Sequence, residues 1–486
     1  MTHPSHHEPG FRGQAKVIII SLLLLVPCFW HRYIQAGDLG SHLYNAWLAE
    51  LIDRGQATGL SLAPQWNNVL FDWLLTWTGR VAGYWAAEKF VVSACVLIFF
   101  WGAFALISAL TGRRPWWVLP VVAMLAYGWT FHMGFFNYYL GVGLSFWCLA
   151  GVVAWPGLKK LWVAPLALLM YVAHPMAALW CAGAAAFLVL ARRVPKRLRW
   201  LPLMLAAAGA LGVRLYLKSH YETAYLPLLQ VAGMNGSDQL VLRDAYRWLA
   251  YAVGVGAVAM VMAELVRCWR EPGVFWARFG LPLQLYVLTL FAALALPDFI
   301  VLPESGRFGF VIARLSLICA VAACGVLTAV QPRRLPHAFS AVIAAGYFAL
   351  NYVDTAALNR LEARVGALLD NVGREERVMS TLQFGGQGTG ARVLFHHVVD
   401  RQCIGRCWSY GNYEPATQHF RVRAEPGNRI VATTKRDVDD MWGGGYVVKP
   451  EDLPAWQIYH PDDDWTEVAI RPLAAGEKNG APAPRQ

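Results

Sequence analysis

The sequence predicts a polytopic α-helical membrane protein, and three observations support that fold class. Of the 486 residues, 57% are hydrophobic and only 15% are charged, whereas soluble proteins carry about a quarter charged residues. Apolar runs long enough to cross a bilayer recur between residues 17 and 353. The 22 Trp and 19 Tyr fit a chain that meets two membrane–water interfaces, where amphipathic rings collect.

The net charge of +11 arises in short loops between the apolar runs. It therefore indicates membrane orientation and does not predict a nucleic-acid partner, because loops rich in Lys and Arg stay on the cytoplasmic side. These basic clusters lie at 12–16, 113–114, 159–160, 192–199, 267–278 and 333–334. We expect them and the N-terminus in the cytoplasm, and we expect a multi-pass protein of a bacterial inner (plasma) membrane.

All basic clusters must lie on the cytoplasmic side, which limits how often the chain can cross the bilayer between them. About eleven spans meet this condition. The predicted spans are residues 17–35, 84–111, 115–131, 136–156, two within 161–191, 200–217, 245–266, 278–297, 307–330 and 336–353. The two within 161–191 meet near His174 and Pro175, since proline disfavours helical geometry at the residue before it.

The same analysis divides the chain into four segments. Residues 1–16 form a cytoplasmic N-terminus, 17–353 the transmembrane domain, 354–472 a periplasmic or extracytoplasmic C-terminal domain, and 473–486 a flexible tail. Strand-like runs after residue 375, ARVLFHHVV, HFRVRA, NRIVATT and WTEVAIRPL, are separated by turn residues. They predict a small α+β or β-rich domain.

Two of the nine cysteines, Cys403 and Cys407, lie in this outer domain. A disulfide between them is predicted if the compartment is oxidising. A metal site with His396 and His397 and a pair of free thiols are the alternatives, and the metal signal is weak because no second ligand pair has zinc-type spacing. The other seven cysteines lie in or beside spans, and we interpret them as small apolar residues that pack between helices.

The first outer loop, residues 36–83, opens with AGDLGSHLYNAWLAELIDRG. Its apolar side chains recur at three- and four-residue intervals, which predicts an amphipathic helix lying in the membrane interface and ended by Gly55. The apolar stripe consists of Leu43, Tyr44, Trp47, Leu48, Leu51 and Ile52. The polar face consists of Asn45, Glu50, Asp53 and Arg54. Residues 69–83 can form a second such helix, and Asp38 or Ser41 can cap the first.

This arrangement resembles the GT-C superfamily of polytopic glycosyltransferases, including bacterial members with the same Asp-x-x-x-His loop. The resemblance rests on the acidic residue after the first span, on the span count with an outer C-terminal domain, and on polar residues at outer helix ends. These polar stretches are HMGFFNYY (132–139), AHP (173–175) and ESGRF (304–308). The chain departs from better-known members because Asp38 is followed by Leu39 rather than by a second acidic residue.

The resemblance implies transfer of a sugar from a polyprenyl-phosphate donor, held in membrane lipid, to a glycan, lipid or protein acceptor. It places Asp38 as the catalytic base, and His42 shares a helix face with it if the helix begins early enough. The departure at Leu39 leaves a divalent metal open, and the sequence indicates no other cofactor.

Further substrate-binding candidates lie in later spans. Arg307 and Arg314, seven residues apart at the predicted start of a span, would hold the donor phosphate, since an intramembrane arginine is costly. For Arg307, the alternative to phosphate binding is that its long side chain only extends to the membrane–water interface. His132, Asn137 and His174 are weaker candidates, because polar residues at helix ends often make structural hydrogen bonds.

Two other classes of function remain open from the sequence. A multispan transporter would place polar groups or broken helices near the bilayer midplane, often in two related halves. The chain shows no convincing internal repeat. A non-catalytic component of envelope assembly would use the outer domain as its working part.

Overall fold

A computed structural model describes residues 11–195, 198, 200–269, 272–302, 306–330, 334–382, 397–461 and 466–480. The chain is mostly helical, at 68%. In the described ranges the helices are α1 (Phe11–Phe29), α2 (Leu39–Asp53), α3 (Leu70–Ala82), α4 (Tyr84–Thr111), α5 (Leu119–Ala126), α6 (Trp129–His132), α7 (Phe136–Ala154), α8 (Ala164–Ala173), α9 (Pro175–Arg193), α10 (Trp200–His220), α11 (Pro227–Gly233), α12 (Arg247–Cys268), α13 (Pro272–Ala295), α14 (Val311–Leu327), α15 (Arg334–Leu369), α16 (Val398–Cys403), α17 (Tyr413–Thr417) and α18 (Lys435–Trp442).

The strands are short. In the same ranges they are β1 (Leu60–Leu62), β2 (Glu222–Ala224), β3 (Phe299–Leu302), β4 (Gly306–Phe308), β5 (Arg377–Ser380), β6 (Trp408–Ser409), β7 (Val422–Ala424), β8 (Ala455–Tyr459) and β9 (Ala469–Leu473).

Among the described helices, seven are long and apolar enough to cross a membrane: α4, α7, α9, α10, α12, α13 and α15. Helices α1, α8 and α14 are apolar but shorter. The fold is therefore that of a helical membrane protein. Each predicted span contains a helix or part of one, but the count of eleven crossings stays a prediction. The predicted span 115–131 is divided between α5 and α6.

Helices α4 and α7 form the centre of the bundle, and glycines allow their backbones to approach. A Cβ on Gly143 would lie 2.9 Å from the Phe99 Cα, and one on Gly102 would lie 2.6 Å from the Gly143 carbonyl oxygen. Phe99 also stacks on Tyr139 with ring centroids 4.6 Å apart. Small residues at such contacts are typical of helices packed within a bilayer.

The segment 161–191 forms two helices that meet at His174, as predicted. His174 has an extended backbone and its side chain accepts a hydrogen bond from the Met176 N–H, so it caps α9. Pro175 follows at the first helical position, where its missing N–H costs nothing.

Helix α15 runs through the predicted end of the last span at residue 353. It is 36 residues long and continues without a break to Leu369. A helix of this length extends about 54 Å, more than the thickness of a bilayer's hydrocarbon core. It therefore links the apolar bundle to the C-terminal segment as one rod.

The C-terminal segment contains a four-stranded sheet of order β6-β5-β8-β9, in which β5 is parallel to β6 and β8, and β9 is antiparallel to β8. Strand β1 of the first loop pairs with β7, with Leu60 opposite Ala424. The first loop and the C-terminal segment thus form one folded unit.

Three sequence predictions for this segment need correction or limits. The described end of the predicted strand-like run 391–399, residues 398–399, lies in α16, and 428–434 form no strand in the described structure. Residues 391–396 and 481–486 lie outside the described ranges. The predicted tail is packed as far as residue 480, since Asn479 is fully buried and donates to the Met441 carbonyl.

Candidate functional site

Helix α2 is buried, so the prediction that it lies in the membrane interface is wrong. The C-terminal segment covers it: Asn45 of its predicted polar face donates to Asn412 at 3.1 Å, and Tyr44 of its apolar stripe accepts from the Ser409 N–H at 2.9 Å. Asp53 and Arg54, at the end of the polar face, stay exposed. Gly55 ends the helix in the left-handed region, φ +70°, as predicted. Helix α3 keeps an exposed apolar face that includes Trp77.

Asp38 occupies the N-cap position of α2 without capping it. Its side chain makes no cap hydrogen bond and is 21% exposed. Its backbone is fixed instead, because the Asp38 N–H donates to the Met133 carbonyl at 3.1 Å. Gly134 permits this contact, since a Cβ there would lie 2.4 Å from the Asp38 nitrogen. The carboxylate is therefore held in place and free of the cap role.

His397 brings the C-terminal segment to Asp38. Its Nε2 lies 3.7 Å from Asp38 Oδ1, and its Nδ1 lies 2.7 Å from Asp400 Oδ2. Ser409 Oγ donates to the other oxygen of Asp400. Gly40 permits the close approach, because a Cβ there would lie 2.1 Å from the His397 carbonyl oxygen.

The electrostatic surroundings favour a protonated His397. Burial lowers the pKa of this buried imidazole, but its hydrogen bond to Asp400 and the charges of Asp400, Asp38 and Glu414 outweigh burial and raise the pKa above its usual value. The sequence offered His397 only as a metal-ligand candidate, and its position beside Asp38 depends on the fold.

His42 forms a second ion pair one helical turn after Asp38. Its Nδ1 lies 2.7 Å from Asp72 Oδ1 and 3.8 Å from Glu414 Oε1. Burial lowers the pKa of His42, but Asp72, Glu414 and Asp38 together raise it to about 10. His42 is thus a cation at neutral pH, and among the described residues its Nε2 has no protein partner.

Asp72 and Glu414 complete this pair, and neither was among the predicted site residues. Asn137 donates to Asp72 Oδ2 at 2.7 Å, so Asn137 orients the carboxylate rather than standing free. Burial raises the pKa of Glu414 to about 7 despite the opposing charge of His42. The sequence signal for Asp72 was an acidic residue in the first turn of the apolar helix α3.

Two predicted binding residues have structural roles. His132 uses both ring nitrogens: Nε2 lies 3.0 Å from Asn351 Nδ2, and Nδ1 lies 3.2 Å from the Gln35 carbonyl oxygen. His174 caps α9 and packs edge-to-face on Tyr138. Neither belongs to the cluster around Asp38.

Arg307 and Arg314 do not share a helix face, contrary to the prediction, because α14 begins only at Val311 and Arg307 lies in β4. The side chain of Arg307 and residues 303–305 lie outside the described part. Arg314 Nη1 donates to the Gly309 carbonyl at 2.9 Å, and its guanidinium lies 4.2 Å from the Phe135 ring centroid. Among the described residues its Nε is buried without a hydrogen-bond partner, and the charge of Asp38 acts on it.

A buried ion-pair network fixes the segment that carries Asp400. Arg401 donates through Nε and Nη2 to the two oxygens of Glu362, and its Nη1 donates to the Ile34 carbonyl and lies 3.2 Å from Glu88. This two-pronged geometry is the one in which Arg–carboxylate pairs are strongest. Arg401 therefore joins α16 to α4, α15 and the chain just before Asp38.

Cys403 and Cys407 form the predicted disulfide, with Cα atoms 4.8 Å apart. Because the two sulfurs bind each other, the alternative metal site at these cysteines is wrong, and His396 lies outside the described residues. The other seven cysteines are buried, as their packing interpretation requires. Among the described residues, no group of three or more His, Cys, Asp or Glu is arranged to hold a metal ion.

The cluster combines groups that suit acid–base chemistry on an anionic substrate. Asp38 is a partly exposed carboxylate beside a carboxylate-held imidazole, and His42 and Arg314 supply positive charge near it. No family model, curated protein or solved structure matches the chain. Its function therefore has to be argued from the site.

Proposed function

We propose that the protein is a membrane glycosyltransferase that moves a sugar from a polyprenyl-phosphate donor to a glycan, lipid or protein acceptor. The observation that carries this proposal is the Asp38 carboxylate. It lies at the end of an apolar helix bundle, is 21% exposed, caps no helix, and lies 3.7 Å from His397.

In the proposed reaction, Asp38 removes the proton from the acceptor hydroxyl as its oxygen attacks the anomeric carbon of the donor. The bond between that carbon and the phosphate oxygen breaks, and the polyprenyl phosphate leaves with the electron pair. A carboxylate within hydrogen-bond reach can act as such a base. The imidazolium of His397, held by Asp400, orients the Asp38 side chain.

Negative charge grows on the departing phosphate, and catalysis requires fixed positive groups there. Arg314 is the first candidate, because its Nε has no partner in the described protein and its charge acts together with that of Asp38. His42 is the second, since it is protonated at neutral pH and its Nε2 is not engaged by a described residue.

The position of the cluster favours a transferase over a transporter. Asp38 follows α1, Asn137 lies in the first turn of α7, and Arg314 in the first turn of α14, so these groups collect at one end of the bundle. A transporter would place its polar groups nearer the middle of the helices. A polyprenyl donor, in contrast, presents its phosphate at the membrane surface.

The same end is proposed to face the periplasm of a bacterial inner membrane. The described basic residues 113–114, 192–193 and 267 lie at the opposite ends of α4, α9 and α12, as expected for cytoplasmic loops. The disulfide lies on the Asp38 side, and disulfides persist in oxidising compartments.

The test is sugar transfer by purified wild type and Asp38→Asn in lipid nanodiscs, with a panel of polyprenyl-phosphate sugars. We expect the substitution to lower turnover about 10²- to 10⁴-fold. Asp53→Asn, an exposed carboxylate at the end of the same helix, is the matched control and should keep wild-type turnover. Thermal melting sets equal folded amounts. Wild-type turnover by Asp38→Asn would overturn the base assignment.

A further inference from the structure

A large groove lies at the other end of the bundle, away from the Asp38 cluster. It has a volume of about 650 Å³, is open on one side, and is lined mainly by apolar side chains of α1, α4 and α7. The aromatic rings that form its walls are Trp101, Phe104, Trp116 and Trp147. Its volume lies within the range of small-molecule binding sites.

The distance from the proposed active site follows from α4. That helix begins at Tyr84 beside the Asp38 cluster, and Ser108 of the groove lies 24 residues further, or about 36 Å along the helix axis. The groove therefore cannot belong to the same site. Val17, Ile18 and Trp147 of its lining are exposed, so the groove opens toward the surface that lipid covers.

Positive charge collects at the end of this groove. Arg114 lines it, and the Lys16 ammonium lies 4.0 Å from the centroid of the Trp116 ring. Among the described residues neither cation makes an ion pair, whereas the neighbouring Arg113 is engaged by the carbonyls of Thr328 and Val330. The Arg114 and Lys16 charges thus have no acidic partner within the described protein.

The groove also has an unsatisfied polar group. The hydroxyl of Ser108 is buried, and no described residue forms a hydrogen bond with it. A buried hydroxyl without a partner is unfavourable, and a ligand oxygen would remove that cost. The lining residues include no Asp or Glu, so an anion meets no repulsion from them.

We propose that this groove binds one anionic diacyl phospholipid. Arg114 and Lys16 hold the phosphate headgroup, and an acyl chain lies along Phe104, Trp101 and Trp147 in the groove. The charge favours an anionic headgroup over a zwitterionic one, and the apolar length favours a diacyl lipid over a soluble phosphate ester. This site is independent of the proposed transferase activity.

The experiment is native mass spectrometry of the full chain released from nanodiscs of equal phosphatidylglycerol and phosphatidylcholine. We expect wild type to retain phosphatidylglycerol at least about fivefold over phosphatidylcholine, since each of the two basic contacts supplies about that ratio. The double variant Lys16→Gln/Arg114→Gln should retain both lipids equally. Arg193→Gln, an exposed cation outside the groove, should retain the wild-type preference.

A second variant separates the groove from surface charge. Ser108→Phe keeps both cations but fills the groove, and it should lower phosphatidylglycerol retention about as much as the double variant does. If Ser108→Phe retained as much phosphatidylglycerol as wild type, the lipid would not bind in the groove, and attraction to the surface cations alone would explain the retention. Equal retention of the two lipids by wild type would overturn the anionic preference, and competition by millimolar glycerol phosphate would point to a soluble anion instead.

Discussion

The two ends of the helical bundle differ in whether their charged side chains are buried in pairs or exposed without an acidic partner. At the Asp38 end, the acidic groups Asp72, Glu88, Glu362 and Glu414 are mostly buried, and each lies next to a histidine or arginine from another segment. At the other end, Arg114 and Lys16 are exposed and have no acidic partner among the described residues. Buried ion pairs hold the side chains at the Asp38 end in one geometry. The exposed cations at the other end remain able to interact with anionic lipid headgroups.

Arg401 gives the strongest test of this contrast. Arg401→Met removes the cation between Glu362 and Glu88 and leaves two carboxylates buried, which should lower the free energy of unfolding by about 3–5 kcal/mol. Thermal melting in detergent measures the loss. Arg406→Gln, which breaks an exposed pair with Asp370, is the control and should cost less than about 1 kcal/mol. Equal losses would show that burial of the network contributes nothing.

His397 tests whether the paired end is also the reactive end. His397→Gln should lower turnover about 10- to 100-fold with little change in KM, since it removes the charge that orients Asp38 without removing the base. His419→Gln, a histidine of the same segment, is the control. A turnover equal to wild type would restrict His397 to a structural role.

The pH dependence of stability tests the His42 pair. The pKa of His42 is raised from 6.5 to about 10, so the folded state holds more protons than the unfolded state between these values. Stability from this pair is complete below pH 6.5 and is lost as the pH rises toward 10. We expect the wild-type Tm to fall by at least about 3 °C over that range.

The variant His42→Asn isolates this contribution. Its Tm should vary less between pH 6.5 and 10 than that of wild type, because the group that loses its proton is gone. His220→Asn, an exposed histidine at the end of α10, should keep the wild-type slope. The same slope in His42→Asn would mean that other groups cause the decrease.

The smallest effect is expected at the basic end. Glu264 is buried there between Arg267 and Arg278, but both arginines are one third or more exposed and can be solvated by water. Glu264→Gln keeps a hydrogen-bond acceptor and should cost about 1 kcal/mol or less by thermal melting. A loss as large as that of Arg401→Met would remove the contrast between the two ends.

Much of the helical part of the structure was predictable because its signals are local. Hydropathy located the apolar helices, Pro175 located the break between α8 and α9, and Gly55 located the end of α2. The spacing of Cys403 and Cys407 predicted their disulfide. Each of these depends on residues that are close together in the chain.

The site was less predictable because its partners are far apart in sequence. Asp38 and His42 were found from their own loop, but His397 and Glu414 lie more than 350 residues away. Arg314 was proposed from its cost in a membrane helix, while its expected partner Arg307 lies in a strand instead. No periodicity within one segment can report such pairings.

By itself, the sequence determined a helical membrane protein with a carboxylate at residue 38 and a closely spaced cysteine pair, because composition, periodicity and short spacing act through neighbouring residues. Only the tertiary structure decided that α2 is buried, since a helix with one apolar stripe can face either lipid or another part of the protein. It also decided that His397 meets Asp38, because that contact joins residues 359 positions apart and requires Gly40 to admit the backbone of residue 397.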